Sequence, residues 1–267
     1  MNKFLVVNAD DFALCENITR GIIQAYNEGI VTATSVVANG AYLKEGIRLL
    51  KETGIDAGIH LTLVGGEKSL TGPIKGITDD HGSFQKSYRK VLVNLITGRF
   101  DRRALKKELV AQLSLLKDHG IQPSHLDSHQ HLHLVPSVRE IVIVLAKYFG
   151  IRWVRLTSSR GVGIEILGLN YLSHLAKMRL KEEKIFFVDQ FLGFLERGRI
   201  DERILLFLLR RVQKGVTELM VHPGYDASGS YPWGYRWTEE LSSLISPEIK
   251  RWVRDLGIKL VSFRQLQ

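Results

Sequence analysis

Phe4-Leu-Val-Val-Asn-Ala-Asp-Asp11 is a short apolar, β-branched run that ends in a cluster of polar side chains. This is the pattern of a strand buried on both faces, with its chemistry at the C-terminal tip. Ile18 to Glu28 then reads as a helix, Thr32 to Val37 as a second strand and Leu43 to Thr53 as a second helix. Ala57 to Leu63 is a third strand, interrupted only by the polar His60. Strands and helices alternating in this way build a parallel sheet. Farther along, Val91 to Thr97 and Ala104 to Gly120 carry helical apolar spacing, and Pro136 suits the first turn of a helix running to about Phe149. Trp153 to Thr157 and Thr217 to Val221 read as strands, Pro247 to Leu256 as a final helix and Lys259 to Phe263 as a final strand. Between Gly161 and Arg211 the pattern blurs, with helical stretches at Leu169 to Leu180 and Ile200 to Val212 and a strand at Ile185 to Val188. Gly65 to Phe84 is long for a structureless connection, and such loops serve as lids or binding loops.

The 267 residues, 45% hydrophobic and 24% charged, suffice for one large core, so a single domain over 1–267 is expected. One cysteine, Cys15, cannot close an internal disulfide or build a thiolate zinc site, so any metal here relies on His and Asp. The apolar run before Asp10 is too short for a signal peptide and no later run reaches membrane-spanning length; a cytoplasmic protein is the expectation. The net charge of +9 is uneven: from Arg152 to Gly215 there are 13 Lys/Arg against 7 Asp/Glu, interleaved with apolar runs. With no nucleic-acid-binding module visible, a solvated basic face, a phosphorylated substrate or a lipid headgroup fits better than nucleic acid.

Ser124-His-Leu-Asp-Ser-His-Gln-His-Leu-His133 holds four of the nine histidines. On an extended strand His125, Asp127, His129, His131 and His133 would share one face, and five such groups cannot share a dry core. A metal site at a strand end explains them economically, against a solvated histidine-rich loop or a set of hydrogen-bonded structural histidines. Same-face spacing does not choose among His129, His131 and His133 as ligands. Asp10, Asp11, His60, the Asp127/His129 group and His222 all fall at C-terminal ends of strands distant in sequence, and in a parallel barrel those ends share the face where active sites are built. Each has a bland reading, as a helix cap, a core histidine or a turn; together they would need four separate accidents. Adjacent aspartates on an extended backbone point opposite ways, which suggests a division of labour between a cation ligand and a proton acceptor.

Asn8-Ala-Asp-Asp-Phe, Gly58-Ile-His-Leu, the Asp127-x-His-x-His-x-His run and Val221-His-Pro-Gly, in this order along nearly the whole chain, resemble the YdjC family of carbohydrate deacetylases. The resemblance implies a distorted (β/α) TIM-like barrel related to polysaccharide deacetylases, a divalent metal (Mg²⁺ or Zn²⁺) and hydrolysis of an N-acetyl group from an amino sugar by metal-activated water. By similarity Asp11, His60 and His129 hold the metal, Asp10 is the general base and His222 the general acid. His131, His133, Arg236 and Trp233 are candidates for contacting substrate. The family has glycine where this chain has Ala13; if that position needs positive φ, alanine costs roughly 1 kcal/mol.

The implied partner is an N-acetylated amino sugar, as a soluble chitooligosaccharide or on a lipid or nucleotide carrier; contact with a membrane surface and a homo-oligomer stay open. The rivals are a metal-dependent phosphoesterase, which would usually need more carboxylates and two metals, and a non-catalytic metal-binding or membrane-surface protein, which leaves the Asp10/Asp11 pair unexplained.

Overall fold

The computed structural model describes residues 2–266. Strands and helices alternate as β1 (Lys3–Phe12), α1 (Glu16–Glu28), β2 (Ala33–Val36), α2 (Leu43–Thr53), β3 (Asp56–Leu61), α3 (Tyr88–Thr97) and α4 (Arg102–Asp118). There follow β4 (His125–Ser128), α5 (Pro136–Tyr148), β5 (Trp153–Val154), α6 (Ile164–Glu182), β6 (Gln190–Leu192) and α7 (Glu202–Arg210). β7 (Gly215–Val221), α8 (Trp237–Ile245), α9 (Pro247–Asp255) and β8 (Ile258–Leu260) complete the chain. The strands form one parallel sheet in the order β5-β4-β3-β2-β1-β7-β6, with β8 pairing the first residues of β1. The sheet curls towards closure, for a single parallel bridge between Trp153 and Phe186 links β5 to the segment leading into β6. This is the distorted barrel expected from sequence, left nearly open between β5 and β6. Central β1 owes its place to composition: Leu5, Val6, Val7 and Ala9 are fully buried, as a strand covered on both faces requires.

Three local features set the site. First, β1 carries an extra residue against β2: Ala9 pairs with Thr34 and Phe12 with Val36, so Asp10 and Asp11 together oppose Ser35. Asp11 sits at φ 70° inside this bulge and Ala13 at φ 69° just after it. A bulge breaks strict alternation, so the two aspartates do not point oppositely, as an unbroken strand would have them; both reach His60. Second, β4 ends at Ser128, and His129 to Leu134 turn into a tight helical segment with Gln130 and His131 at positive φ. The expected common face for five polar groups therefore stops after Asp127. Third, the aromatic loop after β7 runs into α8, whose Trp237, Leu241 and Leu244 pack into the core. The sequence pattern marks no helix between the strand ending at Val221 and the helix starting at Pro247, so α8 is a finding of the structure. Ile185 to Val188 forms only the Phe186 bridge, while the strand itself lies at Gln190 to Leu192. Among the described residues no helix is long and apolar enough to cross a membrane.

Candidate active site

The curled sheet gathers Asp11 from β1, His60 from β3 and His129 from the turn after β4 at one edge. His60 Nε2 lies 3.5 Å and His129 Nδ1 3.2 Å from Asp11 Oδ1. All three side chains are buried, and neither carboxylate oxygen of Asp11 has a hydrogen-bond partner among the described residues. Burial pushes the Asp11 carboxyl upward, but His129, His60 and His222 outweigh it and hold the group well below the usual carboxylate range.

Beneath this triad lies a polar layer whose atoms are almost all paired. His60 Nδ1 meets Asp127 Oδ1 at 2.6 Å, which aims Nε2 at Asp11. Burial disfavours a charged His60, yet Asp127 and Asp10 overcome it and raise the imidazole to about 9. Asp127 is itself held low: Arg155 and His60 outweigh its burial. The Ser35 hydroxyl donates to Asp127 Oδ2 at 2.7 Å while accepting from Asn8 Nδ2 at 2.8 Å, and its contact with His125 Nε2 is 3.1 Å. Arg155, just past β5, donates to both oxygens of Asp10 at 2.7 Å, lies 2.7 Å from Asp127 Oδ2 and donates from Nε to Glu218 at 2.8 Å. Asn8 Nδ2 adds a 2.8 Å bond to Asp10 Oδ1. The Glu218 carboxyl is pushed up to about 7 by burial, which Arg155 only partly offsets.

Two groupings of Asp and His are thus close enough to hold a cation: Asp11, His60 and His129, and Asp10, His60 and Asp127. The second already encloses the Arg155 guanidinium, whose charge would repel an ion. The first fits. Two histidine nitrogens facing an unpartnered buried carboxylate at 3.2–3.5 Å match the roughly 3.0–3.4 Å between neighbouring ligands bound at about 2.1 Å to one ion.

His222, at the tip of β7, is buried against Tyr235, with ring centroids 4.7 Å apart, and its Nδ1 has no partner among the described residues. Its backbone N–H donates to Glu240 Oε2 at 2.6 Å, and the other oxygen of Glu240 accepts from Ile200 N–H at 3.0 Å. This buried carboxylate on α8 ties the β7 tip to the loop after β6. Trp233 lies against His129 at 5.0 Å between centroids and also packs on Tyr231 and Tyr235.

The other sequence candidates stand apart from the triad. His133 is buried and shares bonds with Ser128 Oγ at 2.8 Å and the Arg155 carbonyl at 2.9 Å, so both ring nitrogens are engaged and a sugar contact is closed to it. His131 meets the Thr157 hydroxyl at 3.1 Å and lies edge-on to Phe191. His125 is held between Ser124 and Ser35. Arg236 is exposed and pairs with Glu239 on its own helix turn. Arg155, Glu218 and Ser35 were missed from sequence. An arginine one residue past an apolar strand was the available signal for the first; nothing local marks the other two.

The YdjC-like protein family matches residues 4–255. The chain belongs to the YdjC family. Carbohydrate deacetylases similar to this chain span nearly its whole length. A carbohydrate deacetylase of Geobacillus stearothermophilus is 30% identical, covering 99% of this chain and 98% of its own. One from Clostridium beijerinckii is 29% identical over 98% of this chain and 99% of its own, and the human carbohydrate deacetylase 28% over 98% and 90%. Among solved structures, a protein of Enterococcus faecalis V583 described in terms of cellobiose-phosphate cleavage superposes with a TM-score of 0.81 at 25% identity, covering 100% of this chain and 99% of that one. The catalytic domain of a peptidoglycan N-acetylglucosamine deacetylase from Eubacterium rectale superposes with a TM-score of 0.50 at 12% identity, covering 98% and 89%, and shares the fold.

Proposed function

We propose that this YdjC-family chain is a metal-dependent hydrolase that removes the acetyl group from an N-acetylated amino sugar. The observation that carries the reading is the buried Asp11 carboxylate, without a hydrogen-bond partner among the described residues and faced by one nitrogen each of His60 and His129. The names of the carbohydrate deacetylases to which it is similar support the substrate class. Asp11, His60 and His129 would hold a divalent cation, Mg²⁺ or Zn²⁺, which supplies Lewis-acid polarisation of the acetyl carbonyl and makes water more acidic.

The chain's own residues do the rest. Asp10, clamped by both guanidinium nitrogens of Arg155 and by Asn8, is fixed in one orientation and takes the proton from the attacking water. Asp127 holds His60 in the tautomer that turns Nε2 toward Asp11. An amide nitrogen is a poor leaving group, and His222 delivers the proton that lets it depart as an amine, acetate being the other product. Trp233, half-buried beside His129, offers an aromatic face for a sugar ring. A two-metal phosphoesterase is less well supported, because the second Asp/His grouping is filled by Arg155.

The test is acetate release from a panel of N-acetylated amino sugars, with metal content measured in the same preparations. Stoichiometric acetate and free amine from the metal-loaded parent are expected. Release of phosphate from model esters without acetate from any sugar would replace the reading.

A further inference from the structure

Helix α6 is apolar on two opposite sides. Its inner side carries the buried Ser173, Ala176 and Leu180. On its outer side Ile164, Leu167, Tyr171 and Met178 stand at helical spacing in one stripe, and the first three are 86%, 67% and 64% exposed. Val162, just before the helix, is 93% exposed. Scattered exposed apolar residues need no explanation, but a continuous stripe marks an interaction surface.

The stripe follows closely along the chain from a residue of the site. The chain leaves β5 at the edge where Arg155 clamps Asp10, and α6 starts nine residues later at Ile164. Leu195, itself exposed on the loop after β6, lies over Gly161. The same loop continues through Gly198, whose carbonyl accepts from Arg236 N–H, to Arg199, which donates to the Gly234 carbonyl beside Trp233. These contacts link the start of α6, through the loop after β6, to the aromatic segment over His129.

Charge decides what the stripe fits. Glu165 and Glu182 on α6 are paired, with Arg197 and Arg179 respectively. Arg160, Lys177 and Lys181 have no acidic partner among the described residues, and the whole chain carries +9. A second copy packed on the stripe through a two-fold axis would set these cations against their own images. An anionic lipid surface complements them while burying the stripe, the combination by which amphipathic helices lie in a headgroup layer.

We infer that the Val162–Tyr171 stripe docks on an anionic lipid surface and presents the site mouth to an N-acetylated amino sugar carried on a lipid. The substrate class rests on the deacetylase reading above; the docking does not.

The test is co-flotation of the full chain with phosphatidylglycerol-containing vesicles and with pure phosphatidylcholine vesicles, beside a Val162→Ser/Ile164→Ser/Leu167→Ser variant and a Lys177→Glu/Lys181→Glu variant. The parent should float with anionic vesicles only and be released by high salt. The serine variant should lose roughly tenfold or more of that binding with an unchanged thermal midpoint, and the glutamate variant should lose the anionic preference. Acetate release from N-acetylglucosamine on a long alkyl chain in vesicles, relative to a short soluble glycoside, should fall in the serine variant while the soluble rate stays. A parent that does not float, or a serine variant that floats equally well, overturns the docking. A parent that dimerises through the stripe without floating also overturns it. Flotation with no preference for the long-chain sugar keeps the docking and overturns the substrate class. Acetate from neither sugar, with flotation intact, refutes the deacetylase reading and not the surface.

Discussion

Two layers of polar groups lie at the C-terminal edge of the sheet, and they differ in one respect. In the lower layer the buried side chains are tied to one another: Asp10 to Arg155 and Asn8, Asp127 to His60, Ser35 and Arg155, and His133 to Ser128 and the Arg155 carbonyl. In the lower layer Asn8 Oδ1 and Glu218 Oε2 lack partners, but each of those side chains is anchored through its other atom; in the upper layer both oxygens of Asp11 and Nδ1 of His222 are buried without partners, and no hydrogen bond among the described residues anchors the Asp11 carboxylate. A buried polar atom without a partner costs about 1–3 kcal/mol, so a fold retains it where a ligand or a reacting atom will supply the missing bond. The difference separates side chains that support from side chains that await something.

Emptying the upper layer should have the largest effect. Asp11→Asn and His129→Ala should each lose bound metal and reduce acetate release by about 10³-fold or more, while the thermal midpoint of the metal-free protein changes little; His60→Ala should lose metal and activity alike but also stability, because it takes the 2.6 Å partner from buried Asp127. If His131→Ala lost metal in their place, the division between the layers would be broken.

The lower layer should fail through stability. Arg155→Met leaves Asp10, Asp127 and Glu218 buried together with only His60 near to offset them, and should destabilise the fold by about 3–5 kcal/mol in denaturant titrations. An Arg155→Met protein of parental stability would mean that the three carboxylates do not depend on this guanidinium. His222→Ala returns to the upper layer: kcat should drop by roughly 10²-fold with metal content unchanged, the split expected of a proton donor that is not a ligand.

The same contrast explains what the sequence revealed. Asp10, Asp11, His60, the Asp127/His129 group and His222 were legible as candidates because they fall where strand tips are expected, and the family resemblance supplied the roles proposed for them. Same-face spacing could not choose among His129, His131 and His133; the choice of His129 came from the family resemblance. In the structure the choice depends on the turn at Gln130 and His131, where positive φ in non-glycine residues leaves no mark in a pattern read by alternation. The β1 bulge was hidden for the same reason. Arg155, Glu218 and Ser35 come from three other strands, and only the strand order β5-β4-β3-β2-β1-β7 brings them beneath Asp10. Helix α6 blurred in the sequence because it is apolar on both sides, which is also what makes its outer stripe conspicuous in the structure.

The supporting histidines should reveal themselves by pH. Burial pushes both His125 and His133 down to about 4, so in the folded protein they stay neutral where the unfolded chain, near 6.5, takes up protons. Stability from each is fully present above about pH 6.5 and is lost as pH falls toward 4, with a slope near 1.4 kcal/mol per pH unit per histidine. His133→Gln should flatten the stability profile in that window by about one such slope, measured by denaturant midpoints in a pH series. An unchanged slope would mean that His133 does not titrate with folding and does not belong with the supporting layer.

Ala13 gives the smallest and finest test, because it sits at the hinge between the bulge that sets Asp11 and the start of α1. At φ 69° an alanine is strained by roughly 1–2 kcal/mol relative to glycine. Against this, Ala13→Gly removes a fully buried methyl group, worth about 0.8 kcal/mol, and adds freedom to the unfolded chain worth a few tenths more. The strain should win narrowly, raising stability by about 0.5 kcal/mol. The Asp11-centred site should be unaffected, because the Ala13 N–H bond to Thr19 Oγ1 at 3.0 Å involves only backbone that glycine also has. A loss of stability would mean that the packing of the buried methyl beside Gly46 holds the turn more firmly than φ strains it. A change in metal affinity without a change in stability would mean that the alanine itself sets the angle at which the bulge presents Asp11.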